Sequence, residues 1–211
     1  MKIISHRGYW KSKEEQNSIV SFKRALKFGF GIETDLRDSC GKIVISHDLP
    51  MGSLLTLDNF LEFYLLETQY LECKPFLALN IKSDGLQKEL KTSIEKFKIK
   101  NYFVFDMSIP DTLGYASIGM PFFTRRSEYE QSTDVFESED GVWVDQFDTN
   151  WADAGTINSI KSVTDKICIV SPELHGRDYL KYWKAIKEVR DNENIMICTD
   201  FPGQAQEFFN E

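Results

Sequence analysis

One pattern recurs eight times along this chain: a short apolar run rich in β-branched and aromatic residues, then a stretch with helical periodicity. The strand-like runs are Ile3-Ile4, 31–36, 76–81, 102–105, 122–124, 142–144, 167–170 and 195–198. Helix-like stretches follow at 18–28, 56–66, 86–97, 111–116, 128–136, 152–160, 178–189 and 205–209. In the first of these, Ile19, Phe22, Ala25 and Leu26 share one face and Gly29 closes it. Thr56 is placed to cap the second. Gly41-Lys42 reads as a turn, with Ile43 to Ile45 extending the second strand toward His47. Alternating β and α units imply a parallel sheet covered by helices. Eight of them point to closure as a TIM-type (β/α)8 barrel, α/β in class, rather than an open sheet. No glycine-rich dinucleotide fingerprint follows any strand.

The 211 residues are expected to form a single domain spanning 1–211, since no linker or low-complexity tract interrupts them. A hydrophobic fraction of 42% is ample for one core. The formal charge of −8 argues against nucleic-acid binding, which needs clustered Lys and Arg. Cys40, Cys73, Cys168 and Cys198 form no CxxC pair, and the last two lie in apolar runs. Buried free thiols and a reducing compartment follow. Residues 1–6 hold no signal-peptide h-region, and no stretch approaches a transmembrane span. A cytoplasmic location is expected.

In such barrels the chemistry gathers at the carboxyl ends of the strands. Those ends are polar here. The first ends in Ser5-His6-Arg7-Gly8, and the second carries Glu33 and Asp35 and leads on to His47-Asp48. The third ends in Asn80 and Lys82, the fourth in Asp106, the fifth in Arg125 and the sixth in Asp145. Glu173 and His175 follow the seventh, and Asp200 the eighth. All three histidines of the chain fall in these positions. Glu33 and Asp35 are two apart, so both carboxylates leave one face of a strand. They repel unless a cation lies between them, and a hard divalent ion with oxygen ligands is the natural partner. Lys82 in such a place calls for an anion, either a phosphate or one of these carboxylates. Two histidines, two carboxylates, an Arg and a Lys are the parts phosphodiester cleavage needs. Metal and cations offset the charge on the transition state, while the histidines exchange protons with the attacking and leaving oxygens. No Gly-x-Ser-x-Gly elbow supports a serine hydrolase.

The residues His6-Arg7-Gly8, Gln16-Asn17-Ser18, Phe22, Ala25, Gly29, Glu33-Thr34-Asp35 and His47-Asp48, in this order and spacing, resemble the glycerophosphodiester phosphodiesterase family. That family is related to the phosphatidylinositol-phospholipase-C-like barrels. Thr199 to Gly203 is similar to its closing strand. The resemblance implies His6 and His47 as general acid and base, and Arg7 as a phosphate ligand. It implies Glu33 and Asp35 as ligands of Mg²⁺ or Ca²⁺, and Lys82 as the basic residue of a Glu-x-Lys motif. It also implies attack on the phosphate by a neighbouring substrate hydroxyl, through a cyclic phosphodiester that water then opens.

Two departures from that family stand out. Asn80 occupies the place of a third metal-binding Glu. An amide oxygen still serves a hard cation, with Glu173, and after it Asp106, as the compensating carboxylate. Leu49 to Ser53 leads straight into the next helix, without the family's small insertion. The pocket is then more open. The substrate expected is a small phosphodiester: a glycerophosphodiester, a lipid headgroup, or a glycerol-phosphate-linked sugar or nucleotide. The loops at 106–110, 123–129 and 171–177 resemble a short bacterial branch tied to surface-polysaccharide metabolism. Arg125 is expected to bind substrate, with Arg177 a second such cation; Trp143 and Trp151 are read as packing residues. The alternatives are a catalytically weakened module that only binds phosphorylated ligands, and a lyase that stops at the cyclic phosphate.

Overall fold

The computed structural model describes residues 1–130, 139–164 and 166–210. Along the chain run β1 (Lys2–His6), α1 (Ile19–Lys27), β2 (Gly31–Ser39), β3 (Lys42–Ile45), α2 (Leu57–Thr68), β4 (Leu77–Ile81), α3 (Gln87–Lys96), β5 (Tyr102–Phe105) and α4 (Ile109–Ser117). They are followed by β6 (Phe123–Arg126), β7 (Gly141–Val144), α5 (Ala154–Lys161), β8 (Ile167–Val170), α6 (Leu180–Ile186), β9 (Ile195–Thr199) and α7 (Pro202–Asn210). No helix among the described residues is long and apolar enough to cross a membrane. The chain divides into two compact units. The first joins Met1–His6 to Phe123–Glu211; the second is Arg7–Phe122.

In the first unit the strands run in the order β1-β9-β8-β7-β6, and every pair is parallel. All four residues of β7 and of β8 and all five of β9 are buried, as a parallel sheet covered on both faces requires. Val142, Val144, Ile167, Ile169, Ile195 and Ile197 pack against Ile157, Ile160, Trp183, Ile186, Ala205 and Phe209 of the helices. Cys168 and Cys198 are buried and unbridged, as expected. Trp143 is buried, and Trp151 packs on the helical core with its indole N–H donating to the carbonyl of Asp145 at 2.7 Å. The late helix expected over 178–189 is shorter in α form, with a 3₁₀ turn over Lys187–Val189. The helix expected at 128–136 is not seen at 128–130, where the backbone bends, and its remainder lies outside the described residues.

In the second unit β5, β4 and β2 are parallel neighbours, with Glu33 opposite Ala78 and Asp35 opposite Asn80. The segment 43–45 corrects the sequence expectation. It does not extend β2 but doubles back on it as the antiparallel strand β3. Cys40 and Gly41, with φ of +50° and +73°, form the turn. Positive φ at both central residues gives a two-residue hairpin the right twist, and Cys-Gly signals this less clearly than Asn-Gly. Ser18 caps α1 in a reciprocal box with Ser21, and Thr56 caps α2 through the amide of Asn59.

Candidate active site

The polar residues of the second unit meet around two buried carboxylates of β2. Glu33 is 1% and Asp35 0% exposed. Burying two such anions is costly unless each is paired. Glu33 accepts from the backbone N–H of Arg7 at 3.1 Å and from the Asn80 amide at 3.3 Å. Asp35 accepts from the Asn17 amide at 2.8 Å and lies 3.2 Å from the Arg7 guanidinium. The Lys82 ammonium stands 3.7 Å from its other oxygen and 3.1 Å from Asp106. The sequence expectation offered Lys82 a phosphate or a carboxylate; the structure gives it two carboxylates.

The backbone is bent to make these contacts. Arg7, Asn17 and Asp106 hold φ of +56°, +54° and +71°, three of the five non-glycine residues with positive φ among those described. Such strain gathers where function fixes a conformation. Gly8 has φ +83°, and a Cβ there would lie 2.4 Å from the Ser21 hydroxyl oxygen, so the His-Arg-Gly turn admits no larger residue without a shift. Gln16 accepts from the Arg7 guanidinium at 3.3 Å. The hydroxyl of Thr34 donates to Asn17 at 2.8 Å. Asn17 therefore orients Asp35 from one side while Arg7 and Lys82 compensate its charge from others. Its place in the Gln-Asn-Ser run was visible in the sequence; its contact with Asp35 was not.

Two buried oxygens in this group lack a hydrogen bond: Asp35 Oδ1 and Asn80 Oδ1. Orphaned buried acceptors are rare in folded proteins. With Glu33 they make a hard-oxygen set of two carboxylates and one amide, suited to Mg²⁺ or Ca²⁺. No group of three or more His, Cys, Asp or Glu at metal-binding range occurs among the described residues.

His47 follows Ser46, whose N–H donates to the carbonyl of Asp35 at 3.0 Å. Its ring is 44% exposed, and its Nδ1 lies 2.9 Å from Asp48. That hydrogen bond holds the exposed Asp48 carboxyl below its ordinary range.

In the first unit, His6 ends β1 and its Nδ1 lies 2.7 Å from Asp200 at the end of β9. Asp200 is fixed in turn: its N–H donates to Glu173 at 3.1 Å, and Glu173 also accepts from the hydroxyls of Thr199 and Ser171. Ser171 itself accepts from the Trp183 indole at 2.8 Å. Burial raises the Glu173 carboxyl above its ordinary value, against these hydrogen bonds. Asp200 is the second residue whose part was missed, although a carboxylate after a strand-end Thr marked it. Arg125 is held by Glu130 in a two-pronged ion pair at 2.5 and 3.0 Å. Arg177 donates to Asn150 at 2.5 Å and to the carbonyl of Gln146.

No protein-family model matches the chain, and no curated protein matches it by sequence. Solved structures do. A glycerophosphodiester phosphodiesterase from Agrobacterium tumefaciens C58 superposes with a TM-score of 0.74 at 17% identity, covering 100% of both chains. A phosphodiesterase from Oleispira antarctica, solved with its product sn-glycerol-3-phosphate, superposes with a TM-score of 0.66 at 13% identity, covering 100% of this chain and 97% of the other. The chain has the glycerophosphodiester phosphodiesterase fold. Its class is α/β, the (β/α)8 barrel that the eightfold alternation implied.

Proposed function

We propose that this chain is a divalent-metal-dependent phosphodiester hydrolase of the glycerophosphodiester phosphodiesterase type. One observation, added to the fold, carries the reading: a buried oxygen set of Glu33, Asp35 and Asn80, two of its oxygens without a hydrogen bond, lies within reach of Arg7 and Lys82. These three side chains would hold Mg²⁺ or Ca²⁺. When bound, the ion polarises a phosphoryl oxygen and offsets negative charge on the transition state.

The rest of the chemistry belongs to the chain's own groups. Arg7 and Lys82 bind the phosphate oxygens, Arg7 through its planar fork. His6 and His47 are the acid–base pair, since imidazole gives and takes protons near neutral pH. One takes the proton of the substrate hydroxyl beside the phosphate as that oxygen bonds to phosphorus. The other protonates the leaving alkoxide as its P–O bond breaks. The roles then reverse as water opens the cyclic phosphodiester. Glu173, with both oxygens engaged, serves by fixing Asp200 and through it His6. The substrate class is a small glycerophosphodiester, handled in the cytoplasm in lipid-headgroup or surface-polysaccharide metabolism.

The test is incubation with glycerophosphocholine and glycerophosphoethanolamine, with Mg²⁺, Ca²⁺ or Mn²⁺ in turn, against EDTA and a Glu33→Ala control. Metal-dependent alcohol release that vanishes in the control is expected. Metal binding without turnover of any diester would leave a phosphate-binding module, and a product that stays cyclic by phosphorus NMR would make the chain a lyase.

A further inference from the structure

A second constellation, unused by the chemistry above, lies in the first unit just past the carboxyl ends of β6, β7 and β8. His175 Nε2 is 2.7 Å from Asp145 Oδ1, which also accepts from the Gln146 N–H at 2.8 Å. Asp145 Oδ2 and His175 Nδ1 have no such partner among the described residues, and both side chains keep a share of solvent, 11% and 25%. The Phe147 ring stands 5.1 Å from the imidazole and 6.2 Å from the ring of Tyr129. Tyr129 is 71% exposed yet tied by its hydroxyl to Asp148. The loop beneath is pinned by Glu128, which accepts from the N–H groups of Phe147, Asp148 and Thr149 at 3.1, 3.1 and 2.8 Å. The carboxylate places the imidazole proton on Nε2, so Asp145 Oδ2 and His175 Nδ1 are two open acceptors beside partly exposed aromatic rings, an arrangement suited to a small-molecule ligand that donates hydrogen bonds.

The charges narrow the ligand. The Arg125 guanidinium sits 5.7 Å over the Phe147 ring, where a quaternary ammonium would otherwise bind. Arg125 is itself matched by Glu130, and His175 by Asp145. A second anion would meet Glu130, Asp145 and Asp148. A neutral, hydroxyl-rich group meets none of these penalties and uses both open atoms. His6 ends β1 in the same parallel sheet, so the constellation lies along the same carboxyl edge as His6.

Resting on the phosphodiesterase reading, we infer that His175, Asp145, Tyr129 and Phe147 form a subsite for a sugar or cyclitol ring carried as the alcohol of the diester. Two experiments on the full chain test it. In the first, steady-state constants are compared for glycerophosphoinositol and glycerophosphocholine in wild type, His175→Gln and the exposed-site variant Tyr129→Ala. KM for the inositol diester should rise about tenfold, with its kcat and both constants for the choline diester within twofold. Equal losses on both substrates, or no loss on either, would overturn the inference. In the second, the histidine rings are ¹⁵N-labelled and glycerophosphoinositol is added without metal. The His175 resonances should move, and should not on adding glycerophosphocholine. This readout needs no turnover, so an enzyme inactive on both diesters would sink the phosphodiesterase reading while the shifts still judged the subsite. Unmoved His175 resonances at millimolar ligand would reject it.

Discussion

His6 and His175 meet their carboxylates through opposite ring nitrogens, Nδ1 to Asp200 in one case and Nε2 to Asp145 in the other. An ionised carboxylate only accepts, so each contact places a proton on the nitrogen it touches and leaves the other to the neutral ring's lone pair. For His6 that puts the basic lone pair on Nε2. Asn at position 200 could instead donate, and would stabilise the opposite tautomer. Asp200→Asn is therefore expected to lower kcat by about 10²-fold or more, the low end of what a general base contributes. The chain has only three histidines, so ¹⁵N shifts will show whether the His6 proton has moved from Nδ1 to Nε2. An unchanged tautomer together with unchanged kcat would remove Asp200 from the machinery. At this scale the sequence exposed residues whose type is costly in a buried strand: Glu33, Asp35 and Lys82. It did not expose Asn17 or Asp200, whose parts depend on contacts 18 and 194 residues away in the chain. Nor did it show Glu173 fully engaged by Ser171, Thr199 and Asp200.

The helices and parallel strands were legible because their apolar periods are long and their caps carry recognisable chemistry, as with Ser18 and Thr56. The hairpin of β2 and β3 was harder to read, because an apolar run looks the same whether a strand continues or turns back. One contact between elements has a pH signature. Asp58, in the first turn of α2, bonds Lys96 and Ser93 of α3, both at 2.6 Å. The Lys96 hydrogen bond, then that of Ser93, holds the Asp58 carboxyl below its ordinary value of 3.8. A carboxyl depressed on folding adds stability above its unfolded pKa and loses it as pH falls through the folded value. Asp58 is 42% exposed, which limits the pair to less than about 1 kcal/mol. In thermal melts, Asp58→Asn should cost no more than roughly 4 °C at pH 7, and the gap to wild type should shrink once pH falls well below 3.8. A gap that persisted at pH 2.5 would assign the loss to packing rather than charge.

Taken as a whole, the molecule carries a formal charge of −8, so divalent cations are drawn to it whether or not a specific site exists. Stability separates the two effects. An ion that binds the folded chain alone adds RT ln(1 + [L]/Kd), about 2.7 kcal/mol at a hundredfold excess over Kd. For a chain of this length that corresponds to roughly 5–11 °C in Tm. Mg²⁺ or Ca²⁺ should produce such a rise in wild type beyond that of NaCl at equal ionic strength. Glu33→Ala changes the net charge by only one unit, from −8 to −7, and leaves general attraction nearly intact, yet should abolish the excess. Asn80→Ala removes a neutral ligand and should weaken it without erasing it. The comparison does not depend on turnover, so it judges the oxygen set of β2 and β4 even if the substrate is wrong. The same excess in wild type and in Glu33→Ala would place the ion elsewhere on an acidic surface, and the roles proposed for Glu33, Asp35 and Asn80 would fall together.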